Sequence, residues 1–294
     1  MAIRTDLAVE AALSEGKNTG GVRVQETDYQ GMKLTRVEIL TEEAAGRMGK
    51  PVGQYVTAEN LRLTEDFRDV REHIEALAKE IREMLPESGT VLVIGLGNSA
   101  ITADALGPKS IAHVLATRHI RGELAKSTGL DKLRSVAAVT TGVLGQTGLE
   151  SSEIAAGLIG LLKPGAVIAI DALAARNLHR LGNTVQIGST GIAPGSGVGN
   201  YRASLDEKTL GVPVIGIGVP TVVDAATLTY DLLSGIGSSI SPEEAESLLS
   251  SEHMTVTPGD IDVLTDRAAK LVGMAVNCAL QKNFDFDTLA ALVS

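Results

Sequence analysis

The sequence predicts an α/β fold in which a mostly parallel β-sheet carries helices on both faces, preceded by a β-rich N-terminal elaboration. After Gly89, short runs of β-branched residues alternate with helical stretches, and strands that are apolar on both sides are typical of parallel sheets between two helical layers. The chain has 294 residues, of which 44% are hydrophobic and 21% charged. This composition supports a large core and argues against a disordered or membrane-spanning chain.

The N-terminal part predicts a hairpin followed by a helix. Residues 22–25 and 32–39 alternate apolar and polar side chains on either side of Gln30 and Gly31, a pattern typical of a β-hairpin. Between residues 66 and 85, apolar side chains recur at intervals of three and four, which predicts a helix with one buried stripe. The hairpin is the part of the chain least needed for the parallel sheet.

Four buried strands and the helices between them form the predicted core. The strands are expected at residues 91–94, 136–139, 166–170 and 212–217. The intervening helices are expected at residues 109–118, 150–162 and 221–233. A last helix runs to Gln281 and begins at Thr257, because a hydroxyl N-cap, Pro258 and Asp260 together form a helix start.

The domain organisation follows from the absence of any internal repeat or low-complexity linker in the sequence. We expect a single α/β domain over residues 1–294. Residues 1–60 form its β-rich elaboration and residues 89–294 its parallel-sheet core.

Charge and composition exclude several classes of partner. The net charge of −10 opposes binding to phosphate backbones, and seven aromatic residues are too few to form stacking platforms for single strands. One cysteine cannot form an internal disulfide, and the N-terminus lacks the basic and apolar segments of a secretion signal. We therefore expect a cytoplasmic protein with no direct nucleic acid partner and no membrane partner.

Two carboxylates follow buried strands, at the edge of the sheet where ligands usually bind. Asp104 lies in the loop that follows the strand at residues 91–94, and Asp171 comes directly after the strand at residues 166–170. A carboxylate beside so apolar a run is costly to bury unless it is paired, hydrogen-bonded or protonated. The alternatives are a helix cap at Asp171 and a simple turn at Asp104.

A glycine-rich loop at residues 188–200 is a further candidate for binding. Successive N–H groups around Gly195 and Gly197 can form an anion-binding nest or an oxyanion hole. The alternative is a long turn between two elements. The segment that starts at Gly95 and Gly97 resembles a dinucleotide fingerprint only weakly, because Ala100 replaces its third glycine.

The sequence predicts neither a cofactor nor a metal ion. Its histidines share no metal-ligand spacing. Cys278 lies among apolar residues of the last long helix, where a small core residue is expected rather than a nucleophile.

A set of motifs recurs in a fixed order over nearly the whole chain. They lie at residues 4–10, 95–98 with 104–108, 117–119, 170–176, 194–200 and 220–225. In these motifs the sequence resembles the germination protease, or spore protease, family of endospore-forming bacteria, atypical aspartic-type peptidases of family A25. The resemblance implies a fold similar to hydrogenase maturation proteases, of the phosphorylase/hydrolase-like kind.

The resemblance also implies an activity and its residues. The activity is the hydrolysis of small acid-soluble spore proteins at Glu-apolar bonds during germination, by a homotetramer in the forespore or spore core. The two catalytic aspartates map onto Asp104 and Asp171, one as general base toward water and the other as proton donor, with the roles left open. The residues expected to bind substrate are Asn98, Gly195, Gly197 and, as cations for the substrate glutamate, Arg176 first, because it lies just beyond Asp171, and Arg118 second, from the motif at residues 117–119. The alternative for both arginines is a salt bridge at a subunit or helix surface.

Two departures from the family pattern concern regulation and substrate positioning. Family members are zymogens whose pro-segment ends just before the motif at residues 4–10, and here three residues precede Arg4. We expect that the chain begins at the mature form or that its control does not rely on a removable segment. Residues 231–250 are shorter than the corresponding insertion in many relatives, which affects how substrate is positioned.

Two other functions remain open from the residues alone. The first is a metal-sensing maturation protease, which needs a ligand such as His113, His119 or His179 near the two acids. The second is a non-catalytic or nucleotide-binding α/β protein, in which the glycine loop holds phosphate.

Overall fold

The computed structural model describes residues 5–16, 20–64, 66–120, 122–198, 202–235, 241–248 and 254–293. Within these ranges, nine strands form one sheet. The strands are β1 (Val22–Tyr29), β2 (Met32–Ile39), β3 (Gly53–Glu59), β4 (Val91–Leu96), β5 (Val136–Gly142), β6 (Ala166–Ala175), β7 (Val185–Gly188), β8 (Val214–Asp224) and β9 (Thr255–Val256).

Helices of very different length accompany the sheet. They are α1 (Ala8–Glu15), α2 (Glu42–Met48), α3 (Arg71–Glu83), α4 (Leu106–Ile111), α5 (Gly122–Ser127), α6 (Leu144–Thr147), α7 (Ser151–Leu162), α8 (Glu207–Leu210), α9 (Ala225–Gly235), α10 (Pro242–Leu248), α11 (Ile261–Leu280) and α12 (Phe286–Val293). None of the helices in the described ranges combines the length and the apolar character needed to cross a bilayer.

The sheet has a parallel half and an antiparallel half, in the order β1-β2-β3-β7-β8-β6-β4-β5, with β9 paired to the end of β8. Strands β8, β6, β4 and β5 run parallel. Strands β7, β3, β2 and β1 add to them by antiparallel pairing. The α/β class, the parallel core and the N-terminal hairpin are confirmed, whereas β3 and β7 were not predicted.

Helices cover both faces of the parallel strands, as the doubly apolar strand runs predict. Along β4, Val91 and Val93 pack in one cluster with residues of α3 and α11. Leu92 and Ile94 pack in a second cluster with Ala155 of α7. Because successive side chains of a strand point to opposite faces, this alternation places one helical layer on each side.

Several helix boundaries differ from the sequence prediction. The helix expected at residues 150–162 is α7, within one residue. The helix expected at residues 109–118 is the shorter α4, and the one expected from Thr221 begins at Ala225 as α9. The last long helix begins after Asp260 rather than at Thr257, whose hydroxyl instead donates to the Thr221 carbonyl oxygen at 2.8 Å.

The predicted ends of β6 and β8 are wrong. Both strands continue well past Ile170 and Ile217, because they stay paired with each other as far as Ala175 and Val223. Asp171 therefore lies inside a strand. It caps no helix, since the next described helical turn, Leu178–Arg180, begins beyond the end of β6.

Candidate active site

A cleft of about 270 Å³ opens beside the carboxyl-terminal parts of the parallel strands. Its charged lining residues in the described chain are Asp6, Asp104, Asp171 and Arg202. The two aspartates singled out from the sequence thus face one cleft. They are joined there by a third carboxylate and by a cation, neither of which was among the candidate site residues chosen from the sequence.

Asp171 is the most enclosed of these groups, with 5% of its surface exposed. Burial is the main cause that raises the pKa of its carboxyl well above the ordinary value, followed by the negative charges of Asp104 and Asp6. The Ala172 N–H, which donates to Asp171 Oδ1 at 2.9 Å, and the positive charge of Arg202 act in the opposite direction. Asp171 therefore keeps its proton to a higher pH than an ordinary aspartic acid.

Asp104 ends a short helical turn that leads into α4. Burial raises the pKa of its carboxyl, while the Asn98 N–H, which donates to Asp104 Oδ2 at 2.8 Å, and the charge of Arg202 lower it. The Asn98 side chain is engaged elsewhere, because its Oδ1 accepts from Gln146 Nε2 at 2.7 Å. Asn98 thus contacts the candidate site through its backbone.

The loop that carries Asp104 lies tightly against its neighbours. Gly97 has φ of +106°, and a Cβ at this position would lie 2.1 Å from the Asp104 carbonyl oxygen. Only glycine fits this backbone at this distance. On the other side, Thr221 Oγ1 donates to the Ala103 carbonyl oxygen at 2.7 Å. Contacts on two sides therefore fix the position of Asp104.

Two β-bulges lie next to the aspartates. In β8, Thr221 is an extra residue without a partner in the register with β6. In β5, Thr141 is the extra residue in the register with β4, and its hydroxyl shares a hydrogen bond of 2.9 Å with Ser151 Oγ. Bulges redirect side chains and are common near active sites. The Thr221 hydroxyl thus reaches the Ala103 carbonyl oxygen beside Asp104, and the Thr141 hydroxyl reaches the first residue of α7.

Asp6 enters the cleft from the N-terminal segment. Its N–H donates to the Ala174 carbonyl oxygen and its Oδ2 accepts from the Ala174 N–H, both at 2.9 Å. Ser196 Oγ donates to Asp6 Oδ1 at 2.6 Å. Gly197 packs directly beneath this carboxylate, since a Cβ there would lie 2.2 Å from Asp6 Oδ2. The glycine loop therefore meets the N-terminal segment, and Gly195 lines the cleft itself.

The arginines predicted to bind substrate lie elsewhere. Arg176 forms an ion pair with Asp231, with Nε 2.8 Å from Oδ2. Arg118 is exposed, and its N–H donates to the Val136 carbonyl oxygen at 2.9 Å. Neither is among the residues that line the cleft, where the cation is Arg202. The only sequence signal for Arg202 was its position just after the glycine-rich motif.

No histidine is among the described residues that line the cleft. His113 packs against α11, where Asn277 Nδ2 donates to its carbonyl oxygen at 2.8 Å, and burial lowers the pKa of its imidazole. His119 and His179 likewise do not line the cleft. Across the described ranges, no three His, Cys, Asp or Glu side chains come together as a metal site.

Comparison with known proteins shows the class to which this α/β protein with a carboxylate-lined cleft belongs. It is a protease. The chain belongs to the germination protease family, whose model matches residues 3–247. This membership confirms the resemblance seen in the motifs. It also removes the non-catalytic alternative.

Relatives match along most of the chain. It is 42% identical to a germination protease of Caldanaerobacter subterraneus subsp. tengcongensis, over 96% of this chain and 95% of the relative. It is 40% identical to one of Clostridium tetani, over 98% of both. Among solved structures, a [NiFe] hydrogenase maturation protease HycI from Thermococcus kodakarensis covers 67% of this chain and 98% of its own, at 16% identity and a TM-score of 0.37.

Proposed function

We propose that this chain is an endopeptidase of the spore core that starts the degradation of small acid-soluble spore proteins, cutting at Glu-apolar bonds, and that Asp104 and Asp171 activate the attacking water. The observation that carries the proposal is that two partly or fully buried aspartates, Asp104 in the loop after β4 and Asp171 within β6, face one cleft. The substrate class comes from the family resemblance.

Two neighbouring carboxylates that share one proton can complete the reaction alone. The ionised carboxylate takes a proton from water while the water oxygen bonds to the peptide carbonyl carbon. The protonated carboxylate gives its proton to the carbonyl oxygen, which produces a tetrahedral diol. The first group then passes its proton to the leaving nitrogen and the second recovers one from a hydroxyl as the C–N bond breaks. Both groups return to their starting state.

A substrate glutamate needs a cation in a cleft that already holds three carboxylates. Arg202 faces the cleft, and within the described residues no hydrogen bond or ion pair engages its guanidinium; its interactions are the longer-range attractions of Asp104 and Asp171. The guanidinium of Arg176 is occupied by Asp231. We therefore assign recognition of the substrate glutamate to Arg202 in place of Arg176 and Arg118.

Substitution of each aspartate tests the proposal. Asp104→Asn and Asp171→Asn should each fold and lose roughly a thousandfold or more of kcat/KM, because loss of one cooperating group disables the other. The measurement is cleavage of a peptide with one Glu-apolar bond, with products identified by mass. Asp28→Asn, at the exposed end of β1, is the matched control and should keep full activity. Substantial cleavage by either cleft variant removes that residue from the mechanism.

A further inference from the structure

We propose that Asp6 is a positioning residue of this site: the N-terminal segment brings its charge into the cleft, where it holds the shared proton on Asp171 and leaves Asp104 as the general base. This inference rests on the proposed function and deepens it. It assigns the two catalytic roles that the sequence left open.

The N-terminal segment is fixed at both ends. At one end, Gln186 Nε2 donates to the Asp6 carbonyl oxygen at 2.8 Å, in addition to the backbone pairing with Ala174. At the other end, Glu10 is 4% exposed and accepts from Arg180 Nη1 at 2.9 Å and from the Asn177 N–H at 3.0 Å. Buried, charge-assisted contacts of this kind hold a segment in one place.

The Asp6 carboxylate is itself held in one orientation. Each of its oxygens accepts a hydrogen bond, one from the Ala174 N–H and one from Ser196 Oγ. Lys50 Nζ donates to the Thr5 carbonyl oxygen at 3.3 Å and is attracted by Asp6 and Glu10. Ala174 is three residues beyond Asp171 on β6. The segment therefore fixes a negative charge beside the strand that carries Asp171.

The charges that face Asp171 come from three different parts of the chain. Asp104 lies on the loop before α4, Asp6 on the N-terminal segment, and Arg202 after the glycine loop. Two like charges and burial in an apolar strand favour the neutral carboxyl over the ionised one. Asp104 accepts the Asn98 N–H and is less enclosed, both of which favour its ionised form.

Each of the two carboxylates then has one fixed role in the reaction. Asp104 takes the proton from water as the water oxygen attacks the peptide carbon, and Asp171 gives its proton to the carbonyl oxygen. The rate requires a protonated Asp171, so kcat/KM falls as the pH rises past the pKa of that carboxyl. Removal of the charge of Asp6 lowers this pKa. The alkaline limb of the pH profile should therefore move to lower pH.

The test compares the full chain with the pair Asp6→Gln and Asp6→Glu. These two side chains have the same length, so both change the packing alike and only the charge differs. Asp6→Gln should move the alkaline limb of kcat/KM down by about one pH unit relative to Asp6→Glu, because a like charge that lines the same cleft acts on Asp171 only in the second variant. Asp28→Asn, which removes one carboxylate charge from the exposed end of β1, should leave the limb where it is.

Coincident limbs for Asp6→Gln and Asp6→Glu would overturn the inference and leave Asp6 with a structural role. Asp6→Asn, which keeps the native length, repeats the comparison against the unmodified chain and should show the same downward shift. A failure of the inference about Asp6 can be distinguished from a failure of the proposed function. If Asp104→Asn and Asp171→Asn abolish cleavage while the Asp6 variants leave the limb unmoved, only the role of Asp6 is wrong.

Discussion

Four charged side chains line the cleft. Three of them are chemically identical carboxylates, but each lies in different surroundings. Asp171 is enclosed in an apolar strand, Asp104 is held by one backbone N–H, and Asp6 accepts two hydrogen bonds. Arg202 lines the same cleft as these three carboxylates. Differences of this kind move the pKa values of chemically identical groups apart, which is how two carboxylates take opposite roles in acid-base catalysis.

Arg202 gives a prediction about specificity. Arg202→Met should reduce the preference for a glutamate peptide over the matching glutamine peptide by about tenfold or more, because a charge-assisted hydrogen bond contributes roughly 1.5–3 kcal/mol. The measurement is the ratio of kcat/KM for the two peptides. Arg176→Met is the control, since its partner is Asp231, and it should keep the ratio. An unchanged ratio in Arg202→Met would exclude this residue from substrate recognition.

The two aspartates that we propose as catalytic have a local signal in the sequence, whereas their two charged neighbours in the cleft do not. Asp104 and Asp171 each follow an apolar run, which is a local signal. Asp6 and Arg202 reach the cleft only through contacts between distant parts of the chain. Arg176 looked like the better cation because it lies close to Asp171 in sequence, but it pairs with Asp231, 55 residues away.

At the scale of elements, strands β6 and β8 show where local patterns fail. The segment after Ile170 is rich in alanine, a good helix former, and Pro220 is a residue that usually ends a strand. Pairing between the two strands overrides both preferences and continues across a bulge between Leu173 and Ala174. The local sequence patterns predicted α7 and the hairpin correctly, because the ends of these elements do not depend on a distant partner.

Helix α4 gives a prediction about stability. Gly107 lies where a Cβ would be 2.2 Å from the Leu96 carbonyl oxygen and 2.5 Å from that of Ile170. Gly107→Ala must push the helix off both strands and should lower the free energy of unfolding by about 1–3 kcal/mol, with loss of activity. Gly160→Ala on α7 meets nothing within 4 Å and should raise it by about 0.5–1 kcal/mol. Urea unfolding measures both changes, and equal effects would contradict the close approach at Gly107.

At the scale of the whole molecule, the sheet ends in β1 on one side and β5 on the other. An edge strand can pair with a second copy of the chain. We propose that the homotetramer expected from the family resemblance forms through the N-terminal hairpin, which contains the edge strand β1. A buried assembly would also restrict the cleft to extended, unfolded substrates.

Assembly through β1 can be tested with one edge substitution. The turn at Gln30 and Gly31 sets Tyr29 opposite Met32, so alternate residues such as Asp28 direct their N–H away from β2. Light scattering at micromolar concentration should give the mass of four chains for the intact protein. Asp28→Pro should reduce that mass while thermal unfolding still shows a folded chain. A monomeric intact protein would reject the tetramer, and a tetrameric Asp28→Pro variant would reject only the role of β1.

The account depends most on the claim that Asp104 and Asp171 act as one unit, and a double-mutant cycle measures this directly. The values compared are kcat/KM for the unmodified chain, Asp104→Asn, Asp171→Asn and the double variant, all on the same Glu-apolar peptide. We predict that the double variant is no slower than the slower single variant, because either substitution alone disables the shared proton transfer. Losses that multiply in the double variant, or a single variant that keeps more than about a tenth of the activity, would contradict the claim.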